Sequence, residues 1–164
     1  MSAHGYSGSS LHGSVADALQ LAQSWEQRPG ERRMIAGVLR WLLSIGWVGS
    51  ATSVAFEVPW RGRRIDLVTT NSKGQLSAFE FKLDGSRRVF EQAMYNSIST
   101  HRSFIVSGAR PSSKYQTLAK AHGLGLIVVN GEIELLQRSI IRTPDSRLAR
   151  DLRTKTLMRA SQHV

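Results

Sequence analysis

The chain has 164 residues, 41% of them hydrophobic, no cysteine and a formal net charge of +10. That length suits one domain with a real core, and the composition is too apolar for a disordered chain. Without cysteine there can be no disulfide, thiolate zinc site or cysteine nucleophile; any metal must be held by oxygen or imidazole, and oxygen favours Mg²⁺, Mn²⁺ or Ca²⁺.

The opening segment, MSAHGYSGSSLHGS, lacks the basic and apolar regions of a secretory signal, so residues 1–13 are expected to form a disordered tail on a cytoplasmic protein. In SVADALQLAQSW (14–25), Val15, Ala18, Leu19, Ala22 and Trp25 recur on one helical face, with Ser14 as N-cap. RPG (28–30) interrupts the chain. A second helix follows in ERRMIAGVLRWLLSIGW, with Ile35, Val38, Leu39, Leu42 and Leu43 inward and Gly46 closing it. Arg40 divides its apolar run, which stays short of the ~18 residues of a membrane span, so no membrane partner is expected.

TSVAFEVPW (52–60) reads as a strand stopped at Pro59. Two hairpin strands follow in RGRRIDLVTTNSKGQLSAFEFK (61–82). GSRRVFEQAMYNSIST (85–100) is a helix with Ser86 as N-cap and Val89, Met94 and Ile98 inward. RSFIVSG is a strand, SSKYQTLAKAHG a helix closed by Gly123, LGLIVVN a buried strand, and GEIELLQ an edge strand folding back on it. TPDSRLARDLRTKTLMRASQHV is a basic helix with Pro144 in its first turn and Leu148, Leu152 and Met158 on a thin apolar side. Early strands in a meander and later ones alternating with helices predict an α/β fold, a mixed sheet flanked by helices. The domain is expected to span 14–137, with a basic helical extension at 138–164.

The hairpin carries the unusual chemistry. Asp, Glu and Lys are depleted in strand interiors, yet Asp66, Glu80 and Lys82 sit inside these two. A three-residue SKG loop, with Gly74 supplying the left-handed position, closes Asn71 against Gln75. Counting inward places Asp66 opposite Glu80 on one face, with Cβ atoms about 5 Å apart. Lys82 shares that face, as does Arg64 by alternation. Phe79, Phe81, Leu83, Ile65 and Leu67 go to the other, core face. Two carboxylates that close repel each other and tend to hold a proton; a divalent cation removes that penalty and Lys82 offsets part of it. The same set also fits an exposed cross-strand ion-pair cluster. Glu57 reads as an exposed edge residue and Tyr95 as a packed one.

Asp66 in RIDLV followed by Glu80 and Lys82 in FEFK resembles the PD-(D/E)XK nuclease superfamily, with its restriction-endonuclease-like fold. The order helix, three-strand meander, helix, strand is also similar, over roughly residues 31 to 130. Ile65 stands where that motif nominally has proline. Glu31 in the preceding helix and Gln92 in the following one resemble further motif positions of small bacterial, phage and resolvase-like members. The resemblance implies Mg²⁺ or Mn²⁺ held by Asp66, Glu80 and the backbone carbonyl of Phe81, with Glu31 touching the metal directly or through water. It further implies that Lys82 orients the attacking water or offsets phosphoryl charge, and that Gln92 bonds that water or a phosphate oxygen.

The basic balance attracts polyanions, and Arg61, Arg63, Arg64, Arg87 and Arg88 crowd the hairpin while Arg147, Arg150 and Arg153 recur along the last helix. These are the expected nucleic-acid contacts, although a solvated basic face has the same composition. The expectation is a metal-dependent DNA endonuclease acting on repair or recombination (branched) DNA, with RNA still open as a substrate and a homodimer allowed by double-strand cutting. The other reading is a catalytically silent nucleic-acid-binding module on the same fold.

Overall fold

The computed structural model describes residues 14–162, so the expected 1–13 tail lies outside the described residues. The chain begins with α1 (Ser14–Gln23), a 3₁₀ turn (Glu31–Met34) and α2 (Ile35–Ser44). Then come β1 (Ser53–Trp60), β2 (Arg63–Thr70), β3 (Leu76–Lys82), α3 (Arg87–Asn96) and β4 (Arg102–Ser107). It finishes with α4 (Ser113–Ala121), β5 (Gly125–Asn130), β6 (Glu132–Gln137) and α5 (Ser146–Ser161). The fold is α/β: one six-stranded mixed sheet in the order β1-β2-β3-β4-β5-β6, flanked by helices.

Turn chemistry sets the meander. Arg61 and Gly62 both have positive φ, 48° and 82°, and join β1 to β2 as a two-residue hairpin whose twist matches that of the strands. At the next turn Asn71 N–H donates to Gln75 O at 3.1 Å and Gly74 has φ 75°, the predicted SKG loop. The side chain of Asn71 also accepts from Lys73 N and Gln75 N, locking the turn. β1, β2 and β3 are antiparallel; β3–β4 and β4–β5 are parallel, connected through α3 and α4; β6 returns antiparallel on β5.

Three apolar clusters fix the layers. On one face α1 and α2 pack Ala18, Ile35, Val38 and Leu39 over Phe56, Leu67, Phe79, Phe81 and Phe104. The opposite face is shared. α3 and α4 cover Ile105, Leu124 and Leu126 with Val89, Phe90, Ala93 and Ala119, and α5 covers Ala55, Val58 and Trp60 with Ala149, Leu152 and Ala160.

Helix α5 is therefore part of the domain, not an extension beyond residue 137. Its buried stripe is Ala149, Leu152, Thr156 and Ala160, and Met158, expected inward, is 63% exposed. The helix starts after Pro144, with the Asp145 side chain accepting from Leu148 N–H at 2.9 Å as its N-cap. In α3 the inward positions are Val89, Phe90, Ala93 and Asn96, while Ile98 and Leu83, both expected to pack, are exposed. Ser86 precedes α3 without making a side-chain capping bond. No described helix is long and apolar enough to cross a membrane.

Candidate active site

The β2–β3 ladder runs from Thr70/Leu76 to Leu67/Phe79 and then parts. Beyond that pair β2 stays with β1, Ile65 opposite Val58, while β3 stays with β4, Glu80 opposite Ile105 and Lys82 opposite Ser107. Asp66 and Glu80 are the next residue on either strand at this fork, just beyond the last pair of the ladder that the turn sets in register. There Phe81 N–H has no strand partner. The Asp66 side chain supplies one, Oδ2 accepting at 2.8 Å, because a buried backbone donor must be satisfied.

Alternation breaks at the same place. Phe56 and Leu67 face α1 and α2, but Val58 and Ile65 face α5. Ile65 therefore does not share the Leu67 and Phe79 face, as strict alternation would require. The cause lies in β1, where Glu57 has φ 50°, in the left-handed region. The kink turns the strand over, and the paired β2 follows it.

Glu80 is 1% exposed. Its Oε1 accepts from Asn96 Nδ2 at 2.8 Å and from Arg63 Nη1 at 3.3 Å. Arg63 also donates to Asn96 Oδ1 and to the Gln92 carbonyl, the latter at 3.3 Å, and its guanidinium lies 4.7 Å from the Tyr95 ring centre. Arg63 is thus turned inward against an acid, where the sequence suggested a nucleic-acid contact. Gln92 contributes its backbone carbonyl to this network. Asn96, one turn later, is the side chain that reaches the acid.

Burial pushes the Glu80 carboxyl up to about 8, with the Asp66 charge adding to the rise and Asn96 and Arg63 opposing it. Burial likewise raises Asp66, against the lowering effect of the Phe81 N–H bond. The two carboxyls are close enough to influence each other's ionisation, which suits a shared proton or a shared cation.

On the α2 side Asp66 opens into a cavity of about 110 Å³, lined also by Glu31, Arg32, Ile35, Glu57, Phe81 and Lys82. Lys82 Nζ is 3.6 Å from Glu31 Oε1. Glu57 is bound by Arg32 at 3.3 Å and Arg64 at 3.8 Å, and its charge adds to the rise that burial causes at Asp66. Glu57 therefore belongs to the site; reading it as an exposed edge residue missed the backbone kink that turns it there.

The remaining arginines divide. Arg61 donates to Tyr95 Oη at 3.1 Å, Arg87 pairs with Glu91 at 2.9 Å, and Arg88, Arg147 and Arg150 are exposed. Arg153 is not free for a phosphate: Nε and Nη2 both donate to Gly74 O, at 3.0 and 2.7 Å, clasping the hairpin turn from α5. The predicted stripe of three is a pair of solvent-facing arginines and a structural one.

The donor set fits a hard cation. Asp66 and Glu80 are each anchored through one oxygen, which leaves Oδ1 and Oε2 without an N–H donor among the described residues. Among the described residues no group of three or more His, Asp or Glu is arranged to hold a metal ion. A cation here would take two carboxylates and complete its shell with carbonyl and water, as Mg²⁺ commonly does.

No protein-family model and no curated protein matches the chain. Among solved structures it is similar to the SPO1766 protein of unknown function from Silicibacter pomeroyi, with a TM-score of 0.57 and 18% sequence identity, covering 83% of this chain and 89% of that one. The likeness concerns the α/β fold.

Proposed function

We propose that this protein is a divalent-metal-dependent nuclease of the PD-(D/E)XK kind, built on a restriction-endonuclease-like core, acting on DNA in the cytoplasm. The reading is carried by one observation: Asp66, Lys82 and Glu31 line one cavity where β2 and β3 part, and the buried Glu80 carboxyl is close enough to Asp66 for the two to act on each other's ionisation. Asp66, Glu80 and the Phe81 carbonyl would hold Mg²⁺ or Mn²⁺, with Glu31 adjacent. Such an ion, when bound, polarises a phosphodiester and lowers the pKa of a water.

The chain's own residues do the rest. Asn96 and Arg63 hold Glu80 Oε1, fixing the direction of its other oxygen. Phe81 N–H fixes Asp66 in the same way. Lys82, 30% exposed at its side chain, exchanges Glu31 for the phosphate and stabilises negative charge as it builds on the phosphoryl oxygens. Attack is in line at phosphorus.

The burial of Glu80 and its bonds to Asn96 and Arg63 favour a second reading, a nucleic-acid-binding module in which the acid is structural. Plasmid, single-stranded and branched DNA, and RNA, incubated with Mg²⁺, Mn²⁺ or EDTA separate the two. The nuclease gives metal-dependent cleavage that Asp66→Ala and Lys82→Ala each reduce at least ~100-fold. Binding without cleavage, unchanged in both variants, supports the module instead.

A further inference from the structure

We infer that Arg32 and Arg64 form a phosphate clamp at the rim of the Asp66 cavity, and that Glu57 occupies it until a nucleic-acid strand displaces it. The inference rests on nucleic acid being the ligand, as proposed above. Two guanidiniums from different elements, one on the 3₁₀ turn and one on β2, converge on the single carboxylate of Glu57, at 3.3 and 3.8 Å. That is the arrangement two arginines adopt around a phosphodiester, and a carboxylate offers them similar paired oxygens.

The clamp is placed and partly set in advance. Arg32 and Glu57 line the same cavity as Asp66 and Lys82, so a phosphate held there lies beside the proposed reacting group. The Arg32 guanidinium is 5.2 Å from the Trp25 ring centre, which restricts its swing. Both arginines keep contact with water, at 47% and 68% side-chain exposure, whereas Glu57 is only 22% exposed. An incoming strand can therefore reach the guanidiniums without unfolding anything. The left-handed backbone at residue 57 is what brings this carboxylate to the rim.

Exchange of one anion for another predicts a specific signature. While Glu57 holds the arginines, they add little to polyanion affinity; removing its charge releases them. Binding of a labelled single-stranded oligonucleotide is measured in EDTA, so that cleavage plays no part, across a salt series. Glu57→Gln is expected to tighten binding up to about ten-fold at 0.1 M salt and to steepen the slope of log affinity against log salt by about one. Adding Arg32→Ala or Arg64→Ala to Glu57→Gln reverses the gain, while either alone in the otherwise unchanged protein has a smaller effect. Glu134→Gln makes the same change of charge at the distant Arg110 pair and is expected to leave both quantities near their starting values.

An equal gain from Glu134→Gln, or no gain from Glu57→Gln with the fold intact by circular dichroism, overturns the clamp. Were Glu57→Gln to misfold, losses from Arg32→Ala and Arg64→Ala no larger than that from Arg110→Ala at the distant pair would also overturn it. Clamp and nuclease fail separately: binding shifts in EDTA without any cleavage in Mg²⁺ reject only the nuclease, and cleavage with unshifted binding rejects only the clamp.

Discussion

At neutral pH the Glu80 carboxyl, buried against Asn96 and Arg63, is on the protonated side of its titration, since burial raises it from 4.5 to about 8. The folded state then binds a proton that the unfolded state releases between those values. Its contribution to stability is complete below about pH 4.5 and is lost as pH rises through 8, at no more than about 1.4 kcal/mol per pH unit. Asp66 shifts in the same direction for the same first cause, burial. Urea unfolding from pH 5 to 9 should therefore show the wild type weakening and Glu80→Gln weakening less; parallel curves would contradict the assignment. Arg63→Ala is expected to cost about 1–3 kcal/mol, because it leaves buried acceptors on Glu80, Asn96 and the Gln92 carbonyl without their donor, and to leave the salt dependence of DNA binding nearly unchanged. The register of β2 on β3 was legible because a three-residue turn fixes it. Glu57, Asn96 and the inward turn of Arg63 were not. A single left-handed residue inverts strand alternation, and nothing in a helix's polar residues says which one meets a buried acid.

At the scale of elements the order of helices and strands was legible from apolar spacing, and β6 and α5 fell where expected. Which face α5 buries was not, because three of its four buried positions are Ala or Thr, residues that give little periodic signal. The visible apolar side chains misled: Met158 is exposed, while Leu152 is fully buried beside Val58 and Trp60. Leu152→Ala should cost about 2–5 kcal/mol in urea unfolding, and Met158→Ala within about 0.5 kcal/mol of zero. Equal, small effects would mean that α5 is loosely docked. The clasp of Arg153 on the Gly74 carbonyl ties this same helix to the turn that sets the register of β2 and β3. The end of the chain thus supports the site from the far side of the sheet.

Across the whole molecule a charge of +10 surrounds two acids that disfavour ionisation together. The mixed sheet and its helices could be expected from the sequence; the division of one face between α5 and the α3–α4 pair required the structure, because no spacing rule tells which helix takes which half. A surface of that charge attracts polyanions at long range, and on the reading proposed above a cation at the fork would let both carboxyls lose their protons. Calorimetric titration of Mn²⁺ into the intact protein at neutral pH, below the value at which Glu80 ionises, tests this directly. One ion should bind per chain, with protons released on binding, and Asp66→Asn and Glu80→Gln should each weaken it at least ~10-fold. Binding that is absent, or indifferent to both substitutions, would contradict a shared cation at the fork.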